Sequence, residues 1–205
     1  MLQRSKEWFE ERRGRFTASS IHKLLGVRGF GQTGEDYIFE KASEIVFGID
    51  ENEQDFVTFD MQRGINLEPL AFDKFSEIKQ FDFLEVGKIG FLRYGENSGA
   101  SPDGLVSDGC LEIKCPRPQK FFRLVAKGYD AIDSNYIDQM QFQMLCSNTD
   151  KCYFFNYIIY NGKEMYHEII VERDEKRIEF IKERIEQATK LRDEFVQYLL
   201  DNKQF

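Results

Sequence analysis

Apolar positions recur first at helical spacing, then at alternating spacing, then at helical spacing again. Ser5 is placed to cap a short helix carrying Trp8 and Phe9 that stops at Gly14. Thr17 is placed to cap a second helix with Ile21, Leu24 and Leu25 that ends at Gly26. Helical periodicity returns at about 35–47 and 60–79, with Pro69 expected to start, bend or shift the second of these. The period then changes. LEVGKIGFLRY, ASPDGLV and CLEIKCP predict strands, the last two joined by a Ser-Asp-Gly turn. Residues 118–128 and 134–147 are again helical. KCYFFNYIIY and KEMYHEIIVE predict a hairpin turned by Asn161-Gly162, and a charged amphipathic helix closes the chain from about 174 to 201. Helices, a strand meander, two helices, a hairpin and a last helix predict an α/β fold, with a mixed central β-sheet flanked by helices.

Composition adds bounds. At 205 residues, with 41% hydrophobic and 15% aromatic residues, the chain has material for one buried core, and one domain over 1–205 is expected. No apolar run is long enough to cross a bilayer, and the opening MLQRSKEWFEERRGRF is too charged for a secretory signal, which predicts no membrane partner and a cytoplasmic location. Cys110, Cys115, Cys146 and Cys152 show no C-x-x-C pair, and only His22 and His167 could join them, so reduced thiols are expected instead of a zinc or iron–sulfur site. The net charge of −8 argues against a protein that coats nucleic acid through a basic surface. Its distribution is uneven, with bases gathered in 4–28 and acids in 35–85.

The chemistry lies in SPDGLVSDGCLEIKCP, residues 101–116. Alternation along a strand puts Glu112 and Lys114 on one face, with Leu111 and Ile113 on the other. A turn at Ser107-Asp108 brings Asp103 opposite Glu112 or Ile113, roughly 5 Å away across the ladder. Two such carboxylates repel unless a cation lies between them, and hard oxygen donors suit Mg²⁺ or Mn²⁺. A divalent ion there can polarise a phosphoryl oxygen and activate water, while Lys114 positions the water or meets developing charge. By itself this spacing arises often by chance when 31% of residues are charged, and then means only a solvated strand face.

The surrounding text changes that weighing. WFEERRGRFTAS, RGINLEPLA, GASPDGLVSDGCLEIKCP, FFRL, YIDQMQFQM and EIIVERDEK, in order from about residue 8 to 180, resemble phage lambda exonuclease and the wider YqaJ-type viral recombinases of the PD-(D/E)xK nuclease superfamily. The resemblance implies a restriction-endonuclease-like core in which Asp103, Glu112 and the main-chain carbonyl of Ile113 bind Mg²⁺, with Mn²⁺ able to substitute, and Lys114 is the catalytic lysine. It implies that Glu68, in G-x-x-x-E, orients water or helps hold a second metal. Arg12 would hold a terminal 5′ phosphate, helped by Ser19, Ser101 and Gln139, a sensible set because guanidinium, hydroxyl and amide donors suit phosphate.

At the level of activity, the same resemblance implies a 5′→3′ exonuclease that digests one strand of linear double-stranded DNA and leaves a 3′ tail. It also implies a ring-shaped homotrimer, a single-strand annealing recombinase as partner, and a phage or prophage origin in a bacterial host. A structure-specific or restriction-like endonuclease and a non-catalytic DNA-end-binding accessory are the alternatives. Without the resemblance, Glu68 and Arg12 are solvated helix residues, Ser19 opens a helix, and Gln139 shares a polar helix face with Gln143. Arg117, Lys120, Arg123 and Lys127 are equally readable as backbone contacts or plain surface.

Overall fold

The computed structural model describes residues 3–48, 58–82 and 84–202. Six α-helices are described, α1 (Lys6–Arg12), α2 (Gly31–Phe47), α3 (Phe59–Phe81), α4 (Pro118–Lys127), α5 (Ser134–Ser147) and α6 (Glu175–Asp201). The strands are β1 (Phe16–Thr17), β2 (Val86–Gly87), β3 (Leu92–Tyr94), β4 (Ser98–Ala100), β5 (Gly104–Val106), β6 (Gly109–Lys114), β7 (Lys151–Tyr160) and β8 (Lys163–Glu172). They form a five-stranded sheet in the order β2-β5-β6-β7-β8 and a three-stranded sheet in the order β1-β4-β3. The larger sheet is mixed, since β6 runs antiparallel to β5 and parallel to β7.

Side-chain alternation along β6 and β7 explains how this sheet is covered. Leu111, Ile113, Tyr153 and Phe155 face α3, where Phe75 and Ala71 are buried against them. Cys110, Cys152 and Phe154 face the opposite way, into a layer with Leu124 of α4 and Met140 and Met144 of α5. The small sheet belongs to a third core with Ile21, Leu24, Tyr37, Ile38, Phe142, Ile181 and Ile185. There Arg192 of α6, 4% exposed, donates to the Gly14 carbonyl and, at 2.7 Å, to Asn97 Oδ1, tying the closing helix to the loops beside β1 and β4.

Several elements follow the expected local rules. The Ser5 hydroxyl accepts from the Trp8 amide at 3.2 Å, and Asn161 and Gly162 adopt φ of 50° and 72°, the paired left-handed turn that matches strand twist. Others differ. The segment after Thr17 is a 3₁₀ helix (Ala18–Leu24), and Thr17 makes no side-chain cap, because its amide pairs with the Tyr37 hydroxyl and its own hydroxyl faces Arg12, Ser19 and Tyr37. Pro69 neither starts nor ends a helix. It lies exposed within α3, on a side where the carbonyl left without its amide partner can turn to water. LEVGKIGFLRY is two short strands in different sheets, β2 against β5 and β3 against β4.

Candidate active site

The chain leaves the small sheet at Ala100 and enters the large one at Gly104, so Ser101, Pro102 and Asp103 form the seam between them. Gly104 pairs with Leu111, which places Asp103 one step further on, opposite Glu112. The ladder continues there, because the Asp103 amide donates to the Leu111 carbonyl at 2.9 Å and Asp103 Oδ2 accepts from the Ile113 amide at 2.6 Å.

Glu112 is buried to 1% exposure, and both its oxygens are engaged. Lys114 Nζ and Gln139 Nε2, the latter at 2.8 Å, donate to Oε1, and Gln143 Nε2 donates to Oε2 at 2.5 Å. Lys114 is half-buried, with Nζ 4.8 Å from the Tyr136 ring centroid; Lys120 approaches the same ring at 4.7 Å. A pocket of about 90 Å³ opens beside Lys114, lined also by Lys120, Tyr136, Asp133 and the buried Asn156. Glu68 of α3 is half-buried, and its Oε2 lies 3.5 Å from Arg4 Nη2.

The electrostatics follow from this crowding. Burial, then the charge of Glu112, raises the Asp103 carboxyl well above its ordinary range, with Glu68 adding in the same direction and Lys114 and the Ile113 amide opposing. Lys114 is pushed upward despite its desolvation, because Glu112 and Asp103 stabilise its charge. Burial also pushes the Cys115 thiol up to about 12, helped by Glu68.

The cluster sets one ammonium against two facing carboxylates, while the third, Glu68 at its edge, has Arg4 beside it, so a further cation is electrostatically favoured between Asp103 and Glu112. Among the described residues no three His, Cys, Asp or Glu side chains stand together as a ready-made cage. The fit is therefore that of an oxygen-only set completed by the backbone, with Asp103, Glu112 and the Ile113 carbonyl as candidate ligands and Glu68 beside them. This chemistry suits a hard divalent ion.

The four residues expected around a terminal phosphate divide. Arg12 stacks on Trp8 at 4.0 Å, and the Trp8 indole donates to Ser101 Oγ at 2.9 Å. Arg12 Nη2 also reaches Thr17 Oγ1 at 3.4 Å, which in turn lies 3.4 Å from Ser19 Oγ. Arg12, Ser19 and Ser101 are thus linked through Trp8 and Thr17, whereas Gln139 is joined to Glu112. The residue that sequence reasoning missed is Gln143. Its signal was the i,i+4 spacing with Gln139, but spacing could not tell a solvated face from one buried against Glu112.

A family model for the YqaJ-like viral recombinase domain matches residues 7–150, which include Arg12, Ser19, Glu68, Ser101, Asp103, Glu112, Lys114, Gln139 and Gln143. The chain belongs to this family. Solved structures extend the likeness of this YqaJ-like chain over the hairpin and α6. An alkaline exonuclease (LHK-Exo) from Laribacter hongkongensis is 27% identical, with a TM-score of 0.82 over 97% of this chain and 98% of that one. The same exonuclease in complex with dAMP is 28% identical, with a TM-score of 0.83 and the same coverage. A phage related exonuclease from Haemophilus somnus 129PT, 20% identical, shares the fold at a TM-score of 0.67 over 90% of this chain and 96% of that one. Comparison with curated proteins gives no match. No helix among the described residues is long and apolar enough to cross a membrane.

Proposed function

We propose that this protein is a Mg²⁺-dependent 5′→3′ exonuclease, a phosphodiester hydrolase that degrades one strand of linear double-stranded DNA and leaves 3′ single-stranded tails for recombination by strand annealing. The observation that carries this reading is the placement of Asp103 opposite Glu112 with the Lys114 ammonium on the Glu112 carboxylate. A similar exonuclease has been solved with dAMP, and a deoxynucleoside monophosphate is the kind of product that stepwise hydrolysis from a DNA end releases.

Asp103, Glu112 and the Ile113 carbonyl would hold Mg²⁺, or Mn²⁺ in its place, with Glu68 orienting water or holding a second ion. Bound there, the ion would polarise the scissile phosphate and lower the pKa of a coordinated water. Lys114 keeps its proton beside the two carboxylates, and so offers an ammonium to the attacking water or to charge developing on the phosphate. Arg12, with Ser19 and Ser101, would take the 5′ phosphate through a guanidinium fork and two hydroxyls. Gln139 can join them, since an amide nitrogen carries two hydrogens and Glu112 takes one.

The reading extends to one nuclease domain over 1–205, working as a ring-shaped homotrimer that encloses DNA, beside a single-strand annealing recombinase in the cytoplasm of a bacterial host. Enclosure reconciles a net charge of −8 with a DNA substrate, because topology replaces part of the electrostatic grip.

Degradation of linear duplex with a 5′ phosphate, linear duplex with a 5′ hydroxyl, and closed circular duplex tests the proposal, each with and without chelator. The expected result is chelator-sensitive release of mononucleotides from linear DNA, fastest with the phosphate, and an intact circle. Cutting of the circle would favour an endonuclease, and no release from any substrate would leave a binding protein.

A further inference from the structure

Gln143 occupies a place that an apolar residue would ordinarily fill. It is fully buried on α5 between Phe142 and Met144, facing a layer with Leu124, Met140, Phe154 and Val171. Burying an amide there is costly unless its hydrogen bonds are made. Gln143 makes them at both ends. Its Nε2 donates to Glu112 Oε2 at 2.5 Å, and its Oε1 lies 4.0 Å from Cys152 Sγ, which donates to it from β7. The amide cannot be turned over, because its oxygen would then face the carboxylate.

Gln139, one helical turn earlier, holds the other oxygen of the same carboxylate at 2.8 Å. The terminal torsion of a glutamate is broad when nothing holds it. Here two amides of one helix fix the carboxylate plane from opposite oxygens.

We infer that Gln143 is a positioning residue for the cation site, holding Glu112 Oε2 so that the lone pair left on that oxygen is presented in one orientation, with the Cys152 thiol setting the amide. The inference rests on the reading of Glu112 as a cation ligand. Partners that orient a ligating group in this way are typically worth 10- to 100-fold in metal affinity.

The test is Mn²⁺ binding to the DNA-free protein, followed by electron paramagnetic resonance, in wild type, Glu112→Ala, Gln143→Met and Cys152→Ala. Gln143→Met keeps length and volume and removes the amide. It should weaken Mn²⁺ binding by about 10- to 100-fold, leave the KM for DNA unchanged, and recover much of its kcat at high metal concentration. Cys152→Ala, which removes the thiol contact, should weaken binding severalfold. Unaltered Mn²⁺ affinity in folded Gln143→Met, even with a lowered melting temperature, would overturn the inference and leave Gln143 a packing residue. If Gln143→Met does not fold, Cys152→Ala decides, and wild-type affinity in folded Cys152→Ala overturns it. Wild type binding as weakly as Glu112→Ala would sink the underlying cation reading and this inference with it. Binding lost in Glu112→Ala but intact in Gln143→Met sinks only the inference.

Discussion

Replacing Asp103 by Asn should make this protein more stable and inactive at once. Asp103 is held opposite Glu112 in a half-buried position, where burial first, and the neighbouring negative charge second, raise its carboxyl well above 3.8. A group whose folded pKa is raised favours folding when protonated and opposes it when ionised. The penalty is absent below the unfolded pKa, grows as pH rises toward the folded one, and is complete above that. The Asp103→Asn change would remove the charge, while the amide oxygen could still accept from the Ile113 amide, as Asp103 Oδ2 does at 2.6 Å. Relieving a strained active-site group of this kind commonly yields about 0.5–2 kcal/mol. For a chain of this size that is a rise of roughly 1–8 °C in melting temperature.

The assay is thermal unfolding in chelator from pH 4 to pH 8, with nuclease activity alongside. The Asn variant should melt higher at pH 8, and its advantage should shrink as pH falls toward 4. Added Mg²⁺ should raise the melting temperature of wild type and do little for the variant. A variant that melts lower than wild type at pH 8, or an advantage that grows on acidification, would refute the electrostatic account.

Glu112→Ala and Lys114→Ala should each lower metal-dependent nuclease activity by on the order of a hundredfold or more, measured as acid-soluble nucleotide from linear duplex; a folded Lys114→Ala with wild-type rate would remove the lysine from the chemistry. Arg12→Ala should abolish preference for a 5′-phosphate over a 5′-hydroxyl end, and Trp8→Phe, which loses the bond to Ser101, should blunt it. Retained preference in Arg12→Ala would place the phosphate elsewhere. Iodoacetamide labelling of Cys115, followed by peptide mass spectrometry at pH 8, should be slow because the thiol lies near 12, and Mg²⁺ should speed it by stabilising the thiolate; no response to Mg²⁺ would argue that no cation binds nearby. Arg192→Ala should cost about 2–4 kcal/mol by leaving the Gly14 carbonyl and Asn97 without their charged donor, a fall of roughly 5–15 °C in melting temperature.

What the sequence made legible is what local chemistry specifies. Alternation in CLEIKCP separated Glu112 and Lys114 from Leu111 and Ile113, and the Ser-Asp-Gly turn narrowed the residue opposite Asp103 to Glu112 or Ile113, of which the observed register selects Glu112. Asn161-Gly162 fixed the hairpin for the same kind of reason. What stayed hidden depends on distant partners. Phe16 and Thr17 form a strand only because Ser98 and Gly99 lie parallel beside them, and no local pattern in either segment reports that pairing. Pro69 reads as the start, bend or shift of a helix because a backbone rule carries no information on which side of α3 meets water. Gln139 and Gln143 could be paired by spacing, but their carboxylate comes from a strand about thirty residues away.

The seam from Ser101 to Asp103 has a mechanical meaning. One end is tied through Trp8 to the arginine proposed to grip the DNA terminus, and the other sits within the acid cluster; extended backbone makes the span roughly 7 Å. Buried Pro102 stiffens the middle, and its carbonyl is pinned by Gln3 at 2.9 Å. Under the proposed function such a strut would act as a gauge, holding the strand's end a constant offset from the bond to be broken. A single extra residue there should change how far in from the terminus each cut falls.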